Sequence, residues 1–294
     1  MAVGVTAQRG VNENAYLTLA EYKNAPTSID TNNLVVGGNQ EAQDAELNRV
    51  ILRATSYLNE YLNQDLTADQ YTETQRVRVG GNGYVALHPF QSPVISLTNF
   101  YYGSAPNALI AIPDPSQCWF ENQEIIIPLA NMATSWSGQG PLAFGPNMGP
   151  NVTMFAKYTY VAGFVNTLCT GTAAASTLVV TNAAGILPGE SYRIFDGSKT
   201  ETVTVSDSYT YGNLTVTLAT PLVYSHAAVC FSGMPNAIKQ ATILTTTAFL
   251  KTRGDSSMTM NLTTQPTANI GNSQRYAGEI ALALDMVSKY RRVR

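Results

Sequence analysis

The sequence predicts an α+β protein: an N-terminal helical bundle element with a small antiparallel β region, an inserted small β-barrel or sandwich module, and C-terminal helices with a tethered terminal arm. Three observations predict this. Apolar side chains recur at helical spacing over residues 40–63. From Tyr71 to Val161, and again from Asn166 to Phe231, short alternating runs are punctuated by Gly, Pro and Asn. Helical spacing then returns after Pro235.

Thr18-Leu-Ala-Glu21 fits a capping box, in which the Thr18 hydroxyl and the Glu21 carboxylate each satisfy an early backbone N–H. Pro26 keeps the helix it opens short. Val36-Gly-Gly-Asn39 reads as a flexible joint. The long helix that follows, from about Gln40 to Asn63, has Leu47, Val50, Ile51, Ala54, Tyr57, Leu58, Tyr61 and Leu62 on one stripe.

Thr72 to Val79 alternates as a strand, Gly80-Gly-Asn-Gly83 makes a hairpin turn, and Tyr84 to Leu87 returns. Val94 to Tyr102, a strand pair within Trp119 to Leu129, and Val152 to Val161 complete the region. The Gly- and Pro-rich stretch from Ala130 to Pro150 reads as a long loop. Within 166–231, strands are predicted at Thr177–Val180, Ser191–Phe195, Glu201–Val205 and Leu214–Leu218, the spacing of a small barrel or sandwich.

Asn236 caps a predicted helix running to about Lys251, with Ile238, Ala241, Leu244, Ala248 and Phe249 buried and Gly254 ending it. Its Thr245-Thr-Thr247 run is poor for an isolated helix, so packing must hold it. The polar stretch from Asp255 to Gln274 reads as a linker to a last helix, Tyr276 to Tyr290, with Ile280, Leu284 and Val287 facing one way. The domain division is 1–165 with 232–294 as a core (terminal arm 275–294), and 166–231 as an insert.

Charged residues make up only 13% of the chain, against about 25% in a typical protein. Such a surface suits burial against copies or partners. The net charge of −3 argues against general nucleic-acid binding. Acidic residues gather in the first quarter, and four basic side chains close the chain between Lys289 and Arg294. The start resembles no signal peptide, and no apolar run approaches bilayer length, so a soluble protein made in a cytoplasm is expected.

No enzyme signature emerges, and no catalytic residue, cofactor or metal is assigned. The three cysteines, Cys118, Cys169 and Cys230, lack ligand spacing and are expected to be buried free thiols. His88 and His226 are read as structural. Ser135-Trp-Ser-Gly138 does not match a nucleophile elbow, and the glycines at 80–83 lack the lysine and helix of a phosphate loop.

The order of elements resembles the head–tail connector (adaptor) proteins of long-tailed, siphovirus-type bacteriophages. The matching pieces are Tyr16-Leu-Thr-Leu-Ala-Glu-Tyr22, Ala54-Thr-Ser-Tyr-Leu-Asn-Glu-Tyr61, Leu87-His-Pro-Phe-Gln-Ser-Pro-Val-Ile-Ser-Leu97, Lys157-Tyr-Thr-Tyr-Val-Ala-Gly-Phe164 and Met234-Pro-Asn-Ala-Ile-Lys-Gln-Ala-Thr242. The β module between Phe164 and Pro235 departs from the family pattern and resembles modules that recur in phage structural proteins.

The resemblance implies a structural virion protein in the neck. It would form a ring of its own copies, commonly about twelve (a dodecamer), by closed head-to-tail contacts. It would dock under the portal protein, link it to stopper or tail proteins, and line the channel through which double-stranded DNA is ejected without sequence-specific binding. No membrane is involved. On this reading the terminal arm docks on the portal through Tyr276, Ile280, Leu284, Val287, Lys289, Arg291, Arg292 and Arg294, and Asp44 and Glu60 face the channel. The competing readings are a stopper or tail-terminator protein, a carbohydrate-binding virion or cell-surface β protein using Tyr209, Tyr211 and Tyr224, and an unfamiliar glycoside hydrolase.

Overall fold

The computed structural model describes residues 15–78, 84–111, 117–121, 123–128, 153–252 and 270–292, without the side chains of 270–277. The hairpin turn at 79–83, the loop at 130–150, Ser135 to Gly138, Gly254 and most of the expected polar linker lie outside these residues. The described chain is α+β and divides into two compact units, one spanning Ala68–Gly163 and the other made of the segments before Ala68 and after Gly163. The strands of 166–231 and the helices therefore belong to the same unit.

The first unit contains two antiparallel sheets. One is four-stranded, from β1 (Asp69–Arg78), β3 (Val94–Ala105), β4 (Ala108–Ala111) and β7 (Thr153–Ala162), in the order β1-β7-β3-β4. The other is three-stranded, from β2 (Tyr84–Leu87), β5 (Trp119–Glu121) and β6 (Glu124–Pro128), in the order β2-β6-β5. Alternation puts Val77, Val85, Leu87, Phe100, Ile125, Ile127, Met154 and Ala156 into one core. The hairpin strand β4 is absent from the expected elements. Its Ala-Leu-Ile-Ala has no buried residue, so it carries no alternating signal.

The second unit joins helices to a six-stranded sheet. The strands are β8 (Asn166–Gly171), β9 (Thr177–Val180), β10 (Ser191–Phe195), β11 (Glu201–Thr204), β12 (Thr215–Thr217) and β13 (His226–Ser232), in the order β11-β10-β13-β8-β9-β12. The two outer strands meet where Val205 bridges Leu218, with Ala219 N–H donating to the Thr204 carbonyl at 2.9 Å, so the sheet curls into a small barrel. Val180, Ile194, Val203, Val216 and Phe231 fill it.

Two of these six strands, β8 and β13, are missing from the four expected in the module. In β13 the register slips between His226 and Val229, and Ala228 has φ +52°. Its burial follows no period of two, which hides the strand.

The helices are α1 (Leu19–Lys23), α2 (Gln40–Leu62), α3 (Asn236–Thr252) and α4 (Ile270–Val287), followed by a 3₁₀ turn at Ser288–Tyr290. The Thr18/Glu21 capping box forms in full. Six of the predicted stripe residues of α2, Leu47, Val50, Ile51, Ala54, Leu58 and Leu62, are buried, while Tyr57 stays exposed. Asn63, at φ +56°, ends the helix.

Asn236 is the first residue of α3 rather than its cap. The Pro235 carbonyl accepts from Ile238 N–H at 3.0 Å and starts the helix instead. The threonine run of α3 is buried. Thr245 bonds its own helix at the Ala241 carbonyl (2.9 Å), and Thr247 meets the Tyr22 hydroxyl at 3.0 Å. The last helix begins at Ile270, inside the stretch expected to be linker.

Candidate interaction site

The helical layer is fastened to the barrel at a buried lysine. Lys239, on α3, places Nζ 2.8 Å from Glu21 Oε1, 2.9 Å from Asn166 Oδ1 and 3.5 Å from Cys230 Sγ. Both charged side chains are almost wholly covered, at 13% and 10% exposure. Glu21 thereby joins α1 to α3 while its second oxygen completes the capping box at 2.8 Å from Thr18 N–H. No spacing in the sequence announces this pair.

Beside it opens a groove of about 670 Å³. Leu17, Pro26, Phe195, Met234, Ile243 and Met286 supply apolar walls, and Arg193, Asn24 and Gln240 add polar groups. A volume of this order is ordinary for a cleft that binds something.

The terminal helix lies against this same unit. Ala283 and Val287 are fully buried with Leu58, Leu62, Ile238 and Ala241, and Leu284 and Tyr290 pack on that cluster. Ile280 is half-buried and Leu282 is 54% exposed on the opposite side. The tail is tied to the end of α2: Arg292 N–H donates to the Leu62 carbonyl at 3.0 Å, and Asn63 Nδ2 donates to the Arg292 carbonyl at 3.2 Å. Arg291 stacks over the Tyr61 ring at 4.9 Å, and Lys289 is exposed over Tyr290. These cations also suit the negative end of the α2 dipole. Of the other arm residues, the Tyr276 side chain and Arg294 lie outside the described residues.

The two acidic candidates differ. Asp44 is paired with Lys23 at 2.5 Å, and that ammonium, with the Gln40 amide, holds its carboxyl below the ordinary range. Glu60 is exposed on α2.

His226 sits in the barrel wall with its side chain fully covered, Nδ1 3.0 Å from Asp196 and Nε2 2.8 Å from Glu201. Sequence spacing did not bring these three together. His88 lies 3.3 Å from Glu124 on the first unit's surface. Among the described residues no group of three or more His, Cys, Asp or Glu could hold a metal ion. The thiols of Cys169 and Cys230 are buried, and burial pushes them up to about 12 and about 11, so they stay protonated near neutrality. Cys118 is half-buried. Of the insert tyrosines, Tyr209 is buried with its hydroxyl on the Asn213 carbonyl, while Tyr211 and Tyr224 are each 40% exposed.

In the first unit, Glu73 is 4% exposed and is held by hydroxyls and amides. Its carboxylate accepts from the Tyr158 hydroxyl at 3.0 Å, the Tyr160 hydroxyl, Phe90 N–H at 2.8 Å and Gln75 Nε2 at 3.1 Å. Tyr160 in turn accepts from Gln91 N–H at 3.0 Å, and the Gln75 amide holds His88 through N–H and carbonyl. Burial first, and then the Glu73 charge, push both tyrosine hydroxyls far above the usual phenol range.

Among the described residues no helix is long and apolar enough to cross a membrane. No family model and no curated protein matches the chain. Among solved structures, a chain of one described as the neck of an empty GTA particle computed with C6 symmetry is similar. The alignment covers 95% of this chain and 94% of that one, at 13% identity and a TM-score of 0.37.

Proposed function

We propose that this chain is a structural, non-enzymatic virion protein: the head-to-tail adaptor that forms a ring under the portal of a tailed phage and links it to the stopper or tail. The reading rests on the ordered sequence segments that resemble head–tail connectors. One observation carries it beyond a string of matches. The segments do their packing with each other. In the first unit, Tyr158 and Tyr160 of the Lys157–Phe164 piece hold the backbone of the Leu87–Leu97 piece through Glu73 and Gln91. In the second, Tyr16 of the first piece donates its hydroxyl to Asn59 of the second, and Glu21 of the first binds Lys239 of the last.

The low charge supports lateral burial between copies. The terminal helix is the element assigned to the portal, and its packing refines how. Val287 and Leu284 are engaged at home, so the portal contact uses the outward face carrying Leu282, with Lys289 at the rim for steering. Glu60, exposed on α2, is the better channel-facing acid of the two, since Asp44 is paired.

Cross-linking mass spectrometry on purified particles tests the proposal. Links from Lys289 to a portal subunit, with links from elsewhere in the chain to a stopper or tail protein, are the expected result. Absence of the chain from particles, or links only to the outer capsid, would overturn it.

A further inference from the structure

The three-stranded sheet of the first unit turns an aromatic and acidic face outward. Val85, Leu87, Ile125 and Ile127 point into the core, so alternation sends Tyr84, Ala86, Glu124, Ile126, Trp119 and Glu121 the other way. The two ends of that face differ. At one end the Tyr84 and Trp119 rings meet edge to face across β6, with centroids 5.3 Å apart and planes at 81°. Both stay exposed, at 37% and 39%. At the other end Glu121 stands directly opposite Glu124 in the β5–β6 register. Like charges so placed destabilise a strand pair. His88 lies 3.3 Å from Glu124, whereas exposed Glu121 makes no ion pair among the described residues.

Opposed carboxylates beside two exposed rings complement a cation that can use both. Trp119 and Glu121 are two residues apart on one face of β5, about 7 Å along the strand. A guanidinium spans that gap, because its plane stacks on an aromatic face while its N–H fork reaches a carboxylate. A compact ammonium makes one of these contacts at a time. A neutral saccharide would stack on the rings but leave the carboxylate repulsion in place. Charge also speaks against a second copy as the source of the arginine. This chain carries a net charge of −3, and of its own closing cations Arg291 is already stacked over Tyr61 at 4.9 Å.

We infer that the face of Tyr84, Trp119, Glu121 and Glu124 docks an arginine-bearing segment of a partner virion protein, the guanidinium lying on Trp119 and bridging to the two carboxylates. The inference deepens the adaptor reading and rests on it: it gives the chemistry of a partner other than the one at the terminal helix. Aromatic rings and arginine are the side chains that carry most of the energy at protein interfaces.

Photo-cross-linking in assembled particles tests it. With p-benzoylphenylalanine in place of Tyr84, which keeps an aromatic ring there, irradiation is expected to join the full chain to an arginine-bearing segment of a different virion protein. Adding Glu121→Gln is expected to cut the yield about tenfold. The same change should raise the melting temperature of the free chain, because it relieves the opposed charges. A carboxylate kept for stability alone would lower it. Links only to a second copy, links to a saccharide, or a yield indifferent to Glu121→Gln would overturn the inference. If no link forms at position 84 while Lys289 still cross-links to the portal, the face is not a docking site and the adaptor reading stands. If the chain is absent from particles, both fall.

Discussion

Glu73 and Tyr158 lie directly opposite each other in the β1–β7 register, and the tyrosine hydroxyl donates to the buried carboxylate at 3.0 Å. With Tyr160 and Phe90 N–H, this gives a carboxylate held by neutral donors in the first unit's sheet. Glu73→Ala would leave two hydroxyls and an amide N–H without their acceptor, and is expected to destabilise the chain by about 2–4 kcal/mol. Tyr158→Phe, which removes one donor and keeps the ring, should cost about 1–2 kcal/mol. Urea unfolding followed by tyrosine fluorescence ranks the two; equal midpoints for Glu73→Ala and wild type would contradict the account.

The barrel should weaken in acid through Glu201. Burial by itself raises this carboxyl, but Val223 N–H, the His226 ring and Tyr224 N–H outweigh it, and the pKa ends below the reference value of 4.5. The folded state therefore takes up the proton less readily than the unfolded chain. The stabilisation is complete above about pH 4.5 and is lost as pH falls through the lower folded value, with a slope of at most about 1.4 kcal/mol per pH unit for this one group. Thermal melts between pH 6 and 3 measure it. Glu201→Gln should melt lower than wild type at pH 6 and fall less steeply on acidification.

Breaking the Lys239–Glu21 pair from one side leaves the other charge buried. Lys239→Met is expected to cost about 3–5 kcal/mol, and adding Glu21→Gln should recover part of that loss. A double-mutant cycle on unfolding midpoints gives the coupling. Additive losses would mean that the two charges do not sense each other.

The two faces of the terminal helix should separate stability from binding. Val287→Ala opens space in the core shared with Leu58 and Leu62 and should cost about 1–3 kcal/mol. Leu282→Asp, on the exposed face, should change stability by less than about 0.5 kcal/mol yet weaken capture by portal assemblies. Pull-down with purified portal, alongside the melts, distinguishes them; undiminished capture by Leu282→Asp would remove the outward face from the contact.

Much of the scaffold was legible because single elements carry their own pattern. The stripe of α2, the capping box at Thr18 and the alternation of β1, β7, β9 and β10 are local, and burial followed them. The misses have physical causes. The bulge in β13 breaks the period of two, and α4 extends into a polar stretch that shows no apolar stripe from sequence. Val36-Gly-Gly-Asn39 reads as a flexible joint, since two glycines normally loosen a chain. It is instead a fixed turn, because Gln43 lies one helical turn into α2 with all three of its bonds directed back to it.

By itself, the sequence determined where most of the helices and strands run, that charge is sparse, and which segments resemble a connector, since each depends on residues near one another in the chain. Only the tertiary structure decided what the polar side chains do. Glu73 meets Tyr158 across 85 positions and Lys239 meets Glu21 across 218. A buried polar group is tolerated only when a partner arrives in bonding geometry, and that geometry exists only once the chain has folded.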